Sequence, residues 1–214
     1  QYYITFDQTG VGGDFTGTVV TIEGVDYGVS TLPAHFWWNA SETYSFAYQS
    51  PLVVTANEKR YIWDTTSGLS DKQSDSSFTV TESGSITGNY KTQYYITFDQ
   101  TGVDTDFSGT VLTVDDTENY GVSTLPHSYW WYDGSTHKFA FQSPLVVTAN
   151  EKRYVWDTTS GLSSAQSDNS FAVSGSGTIT GNYKTQFYIT FAQTGVGADF
   201  SDTVVTIDGV DYDR

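Results

Sequence analysis

Cysteine and methionine are absent from these 214 residues. Disulfides, thiolate metal sites and thiol nucleophiles are therefore excluded, and the two side chains most prone to oxidation are missing. Basic residues are scarce, with nine Lys and Arg against 25 Asp and Glu and a formal net charge of −16. A surface of that sign repels phosphate backbones, which excludes nucleic acid as a partner. No apolar run reaches the length of a membrane span. No stretch keeps a 3.6-residue apolar period over helical length, which argues against helices.

Aromatic residues are plentiful at 16%, and large rings let a small core bury much area. The order of the residues is more informative than their amounts. Gln1-Tyr-Tyr-Ile-Thr-Phe6 returns as Gln93-Tyr-Tyr-Ile-Thr-Phe98 and again as Gln186-Phe-Tyr-Ile-Thr-Phe191. The chain thus divides into two full units, 1–92 and 93–185, and a partial third copy, 186–214, that matches residues 1–29. Residues 30–92 and 123–185 align without a gap and share 45 of 63 positions. Tandem units of this kind point to a stalk, filament or multivalent surface rather than to a site built once.

Within a unit the pattern is that of short strands. Tyr2, Ile4 and Phe6 alternate with Tyr3 and Thr5, the period of a half-buried strand. Further strands are expected at 16–22, from 36, at 43–49, 52–55, 58–64, 78–81 and 84–91, separated by Gly- and Pro-marked turns. About seven strands with turns every eight to twelve residues predict an all-β fold of tandem Ig-like antiparallel β-sandwich repeats. Residues 88–98 run from one unit into the next with no Gly/Ser or Pro linker, which predicts a stiff array.

Three motifs carry a family resemblance: the junction Gly88-Asn-Tyr-Lys-Thr-Gln-Tyr-Tyr-Ile-Thr-Phe98, the segment Trp130-Trp-Tyr-Asp-Gly-Ser-Thr-His137, and Lys152-Arg-Tyr-Val-Trp156. Together they resemble a tandem β-rich repeat of archaeal and some bacterial cell-surface proteins, in which units end in Lys-Thr-Gln and restart with Tyr-Tyr-Leu-Thr. The resemblance implies β-rich modules on extracellular proteins and is silent about any ligand. The Thr, Ser, Gly, Tyr and Gln content with few Lys also reads as extracellular.

Candidate sites are few. Trp37-Trp38 and Trp130-Trp131 offer an aromatic platform for glycans, although adjacent strand residues face opposite ways, so one Trp of each pair is expected in a core. Asn39 begins the sole Asn-x-Ser/Thr sequon, Asn39-Ala-Ser41, on an expected exposed tip. Lys91 and Lys184 recur beside Asn89 and Asn182 and are candidates for an isopeptide cross-link. Carboxylates recur at Asp14/Asp106/Asp199, Glu58/Glu151 and Asp64/Asp157, which opens a distant glycosidase reading against solvated charge. Asp104 and Asp106 flank a turn and form a weak candidate for calcium, with no EF-hand spacing. His35, His127 and His137 have Ser128, Ala34 and Tyr44 as counterparts, so no Ser-His-Asp arrangement repeats in both units.

Residues 186–214 correspond to the first two strands of a unit and cannot bury a core alone. Gln186, Tyr188, Phe191, Val205 and Ile207 are therefore candidate assembly strands. The expectation is a structural, non-enzymatic, extracellular repeat protein without a cofactor. It would belong to a filament, sheath or stalk, joining copies of itself head to tail by β-strand complementation. The alternative is an adhesin or carbohydrate-binding array that uses the Trp pairs.

Overall fold

The computed structural model describes residues 1–213 and is built almost wholly of β-strands. The first unit contributes β1 (Tyr2–Thr9), β2 (Val20–Ile22), β3 (Val25–Tyr27), β4 (Ala34–Trp38), β5 (Thr43–Tyr48), β6 (Leu52–Thr55), β7 (Lys59–Gly68) and β8 (Ser74–Thr79). It is completed by β9 (Gly84–Thr101), which also starts the second unit. There follow β10 (Leu112–Val114), β11 (Glu118–Tyr120), β12 (His127–Tyr132), β13 (Thr136–Phe141), β14 (Leu145–Thr148), β15 (Lys152–Gly161), β16 (Ser167–Ala172) and β17 (Gly177–Phe187). A short hairpin, β18 (Val205–Ile207) and β19 (Val210–Tyr212), ends the described chain.

Each unit is a sandwich. In the first, a sheet ordered β6-β7-β9-β1-β4 faces a sheet ordered β3-β2-β5-β8. In the second, β14-β15-β17-β9-β12 faces β11-β10-β13-β16. Ile4, Phe6 and Ile86 of one layer close on Val20, Ile22 and Phe46 of the other, and Ile96, Phe98 and Ile179 do the same in the second unit. The alternation read at residues 2–6 is thus the inner face of β1, with Phe6 and Phe46 rings 5.5 Å apart between the layers. Two tyrosine hydroxyls also bind across the sandwich. Tyr90 donates to the Gln49 carbonyl and Tyr183 to the Gln142 carbonyl, both at 2.9 Å, and burial pushes both phenols above their usual range.

Three expectations need correction. The pairing is not wholly antiparallel: β1 runs parallel to β9, and β9 parallel to β17. The first and last strands of a unit are central neighbours, so the chain enters a unit at one end and leaves at the other. The strand expected at 16–22 is confined to β2. Residues 11–15 form a loop that the Gln8 side chain holds through the Val11 backbone, at 2.9 and 3.3 Å. No strand is expected between 22 and 36, yet β3 lies there, because the reversal occurs at Glu23 and Gly24, both with positive φ.

The loop at 11–15 is latched to β7 by a cluster at the sandwich surface. Asp14 accepts from Lys59 Nζ at 2.8 Å and from the Tyr61 hydroxyl at 2.6 Å. Asp106 takes Lys152 Nζ at 2.7 Å and the Tyr154 hydroxyl at 2.6 Å in the second unit. The ammonium and phenol groups hold both carboxyls below their usual range. A carboxyl with a lowered folded-state pKa stabilises fully above its unfolded value and loses that contribution as pH falls through the folded one. Unfolding midpoints in urea should accordingly fall between about pH 5 and pH 2, and Asp14→Asn should flatten that slope; an unchanged slope would show the latch to be inert.

Candidate interaction site at the repeat junction

The uninterrupted run at 88–98 folds as expected into one strand. β9 has 18 residues and at a strand rise of about 3.3 Å is roughly 60 Å long. Its flanks change hands at different points, so that one neighbour always spans the place where the other is exchanged. On one side β7 pairs with it as far as Tyr94, and β17 takes over at Ile96. On the other side β1 pairs as far as Asn89, and β12 takes over at Gln93. Gln93 and Tyr94 therefore pair at once with Arg60 and Lys59 of the first unit and with Tyr132 and Trp131 of the second. Two further backbone bonds cross the junction, Tyr95 N–H to the Glu58 carbonyl at 2.9 Å and Asp133 N–H to the Thr92 carbonyl at 3.0 Å.

Side chains close over this seam on the outer face of the sheet. Arg60 donates through Nε to Gln93 Oε1 at 2.8 Å, and its guanidinium carbon lies 4.2 Å from the centre of a Trp130 ring. Trp130 meets Tyr95 edge-on at 5.0 Å. Gln93 is buried beneath this cover. Partial burial draws the Arg60 pKa down, yet guanidinium stays charged at any ordinary pH, so the cation–π contact persists. The block Gln49–Tyr61, unchanged in the second unit, carries this arginine, and nothing in a linear reading links it to a tryptophan 70 residues on.

The paired tryptophans divide as alternation requires. Trp38 and Trp131 are 6% and 7% exposed and belong to the two cores, so neither can form a glycan platform. Trp130 is covered by Arg60, and Trp37 is 64% exposed beside Tyr3, which stacks on His35 at 5.5 Å. Only Trp37 of the four is an open aromatic surface. Asn39 is exposed at its tip and donates through its amide to Glu42 at 3.1 Å.

The isopeptide candidates sit in water. Lys91 pairs with Asp64 at 2.9 Å and Lys184 with Asp157 at 2.7 Å, and the Lys91 side chain is 58% exposed. Neighbouring Asn89 and Asn182 are engaged instead by Thr and Ser hydroxyls. An amide-forming pair needs an apolar pocket, and these amines lie in solvent against carboxylates instead. The calcium candidate is likewise filled, since Lys152 Nζ lies 2.7 Å from Asp106 and 3.8 Å from Asp104. Among the described residues no group of three or more His, Asp or Glu side chains is placed to hold a metal ion. Asp14, Asp64, Asp106 and Asp157 are each taken by a lysine.

One constellation escaped the sequence. His137 Nδ1 lies 2.9 Å from Asp115 Oδ2, and its Nε2 lies 3.0 Å from Ser135 Oγ. The order of groups is that of a Ser-His-Asp relay, but only the second unit has it. Ser135 Oγ is already within 2.6 Å of the Tyr132 carbonyl, to which it donates, so it cannot pass its proton to the imidazole in this state. The N–H groups of Gly134 and Ser135 are spent on the Val173 and Tyr132 carbonyls, which removes them as donors to an oxyanion. His137 stacks on Trp131 at 3.8 Å, as Tyr44 stacks on Trp38 at 4.1 Å in the first unit. The equivalent places are a ring closing the core edge, and the hydrogen bonds fix that ring. Burial raises the Asp115 pKa, but the bonds from His137 and from the Lys138 N–H outweigh it and leave the carboxyl lowered.

The second unit repeats half of the junction. Arg153 Nε donates to Gln186 Oε1 at 2.9 Å, and the Tyr188 N–H donates to the Glu151 carbonyl at 2.9 Å. No indole lies over Arg153 among the described residues. A groove of about 660 Å³ is bordered there by Val146, Arg153, Gln186 and Tyr188. Beyond it the candidate assembly residues are open. Phe191 is 60% exposed, whereas its counterparts Phe6 and Phe98 are fully buried, and Tyr188 is exposed as well. Val205 and Ile207 lie on β18 and pair only with β19.

Comparison with known proteins gives little. No family model matches the chain, and no curated protein matches it. A solved structure described as Streptococcal High Identity Repeats in Tandem (SHIRT) domains 3-4 from a cell surface protein is similar over 87% of this chain and 99% of its own, at 14% identity. Its TM-score is 0.22, a level at which the two backbones do not superpose as wholes.

The Arg60 cover has a direct readout. Arg60→Ala should uncover Trp130, shift its fluorescence to the red and cost about 1 kcal/mol of unfolding free energy. Arg153→Ala, with no indole above it, should leave the emission unchanged; equal shifts in both variants would contradict the assignment.

Proposed function

We propose that this chain is a structural segment of an extracellular or cell-surface protein, in which repeated β-sandwiches are joined stiffly into a stalk, filament or sheath. The observation that supports this reading most is the shared strand β9, paired at Gln93 and Tyr94 with strands of both units and covered by Arg60 and Trp130. A flexible linker between domains leaves their relative orientation free, whereas here a bend at residue 93 would break ladder bonds of both units. The protein has no catalytic step in this reading. Its acidic surface serves solubility and mutual repulsion of neighbouring stalks.

The finer proposal concerns residues 186–214. They carry the sequence that forms β1 to β3 in the first unit, with the apolar face uncovered. Strands equivalent to β4, β5 and β9 would cover it, supplied by a following repeat or by a second copy through strand complementation.

Stiffness and assembly can be measured together. With no native cysteine, spin labels at Ser76→Cys and Asn169→Cys report the distance between equivalent points of the two units. A narrow distribution is expected, and inserting Gly-Ser-Gly-Ser between Thr92 and Gln93 should broaden it; a native distribution already as broad would end the stiff-array reading. Light scattering of the same chain with and without 186–214 reads self-association, and an unchanged mass would remove assembly between copies.

A second reading rests on Trp37. This exposed indole, with Tyr3 and His35 beside it, is the kind of aromatic surface on which sugars stack. Glycan binding abolished by Trp37→Ala and untouched by Arg60→Ala would favour it over a purely structural role.

A further inference from the structure

We infer that each unit is built to bear tension along the chain, with the parallel ladder between its first and last strands as the element that resists. This deepens the structural reading above, because a stalk that only holds a shape need not resist extension.

Strand direction decides how the ladder is loaded. In the first unit β1 and β9 are parallel neighbours, paired from Ile4 with Gly84 to Thr9 with Asn89. Tension pulls β1 toward its own beginning and β9 toward its own end. In a parallel pair these directions are opposite and lie along the common axis, so the strands must slide past one another. All six paired positions then share the load, whereas strands pulled sideways lose their bonds singly, in succession. Tension passes through β9 without leaving the strand and meets the same arrangement in the second unit, from Ile96 with Gly177 to Thr101 with Asn182. The force line is thus β1, ladder, β9, ladder, β17.

The ladder is also protected and bolted. Ile4, Phe6 and Ile86 are fully buried on its inner face, so water cannot readily replace a loaded bond from that side. At its far end Thr9 donates to Asn89 at 2.8 Å, and Asn89 donates to Thr65 at 3.1 Å, tying β1, β9 and β7 together. Thr101, Asn182 and Thr158 repeat the tie at 2.8 and 3.2 Å.

One bolt exists in the first unit alone. The Tyr48 hydroxyl reaches across from the opposite sheet and lies 2.8 Å from the Asp7 carbonyl of β1 and 2.7 Å from the Ile86 carbonyl of β9. Its single hydrogen is shared between the two sliding strands. Glycine at position 88 makes this possible, because a Cβ there would stand 2.5 Å from the Tyr48 ring. The second unit keeps the glycine, Gly181, but places Phe141 over it, with no hydroxyl. The two units are therefore expected to differ in strength, the first being the stronger.

Single-molecule stretching of the full chain from its two ends tests this. Two unfolding steps of unequal force are expected, each releasing roughly 300 Å of chain. Tyr48→Phe should bring the higher step down to the lower, and Phe141→Tyr should raise the lower one. Phenylalanine is already accommodated at this place in the second unit, so the first variant folds. Pulling instead on the edge strands, through Val53→Cys and Trp37→Cys, should unfold the first unit at about half the force or less, since forced rupture follows the barrier along the pulled direction. Equal forces in the two geometries would overturn the proposal, and a Tyr48→Phe chain that keeps two unequal steps would overturn the role given to Tyr48. A stiff array with weak steps would leave the stalk reading standing, and a flexible one with strong steps would leave only the ladder.

Discussion

The structure depends on the hydrogen-bond ladders of a single strand. β9 is the middle strand of the larger sheet in the first unit and lies beside the middle strand, β17, in the second, and at no residue from Gly84 to Thr101 is it without a partner strand. A backbone segment held in a ladder at every residue has little freedom to bend, because any bend leaves N–H and C=O groups unsatisfied. Stiffness at the junction thus comes from the strand itself. The guanidinium and indole above it shield Gln93 from water and add a modest increment of their own.

The remaining features serve that strand. Aromatic rings from the opposite sheet fill the small cores, and tyrosine hydroxyls bind backbone carbonyls between layers, so the two sheets cannot slide. The Asp-Lys-Tyr latch pins the long loop after the first strand against β7. Repetition of the Tyr90 and Tyr183 bonds and of the Asp-Lys-Tyr latch in both units, with distances within a few tenths of an ångström, shows which contacts belong to the unit. Where the copies differ, at Tyr44 and His137 or at Tyr48 and Phe141, the difference marks what a unit can exchange while keeping its fold.

Much of this was legible in the sequence. The repeat gave the division of the chain. Alternation at 2–6 gave a strand with its inner face assigned, and the lack of a linker at 88–98 gave the continuous junction. The rest lay in pairings between distant residues. Parallel alignment of β1 with β9 leaves no local mark, because each strand reads the same whichever way its neighbour runs. Arg60 meets Trp130, and His137 meets Asp115, only once the chain has turned several times between them. The one available signal was that the arginine sits in a block identical between the copies, next to a tyrosine that had a core role while it had none.

A strand held in common also orders the making of the array. Until residue 94 has left the ribosome, the first sandwich lacks the middle of its larger sheet. Once that middle is in place, its far half projects already extended and ready to be paired. The strands that follow then add to an existing edge and avoid the costly first closure of a distant loop. Near-twin units strung in tandem are otherwise prone to exchange strands with one another; here the shared segment fixes which partner each new strand meets.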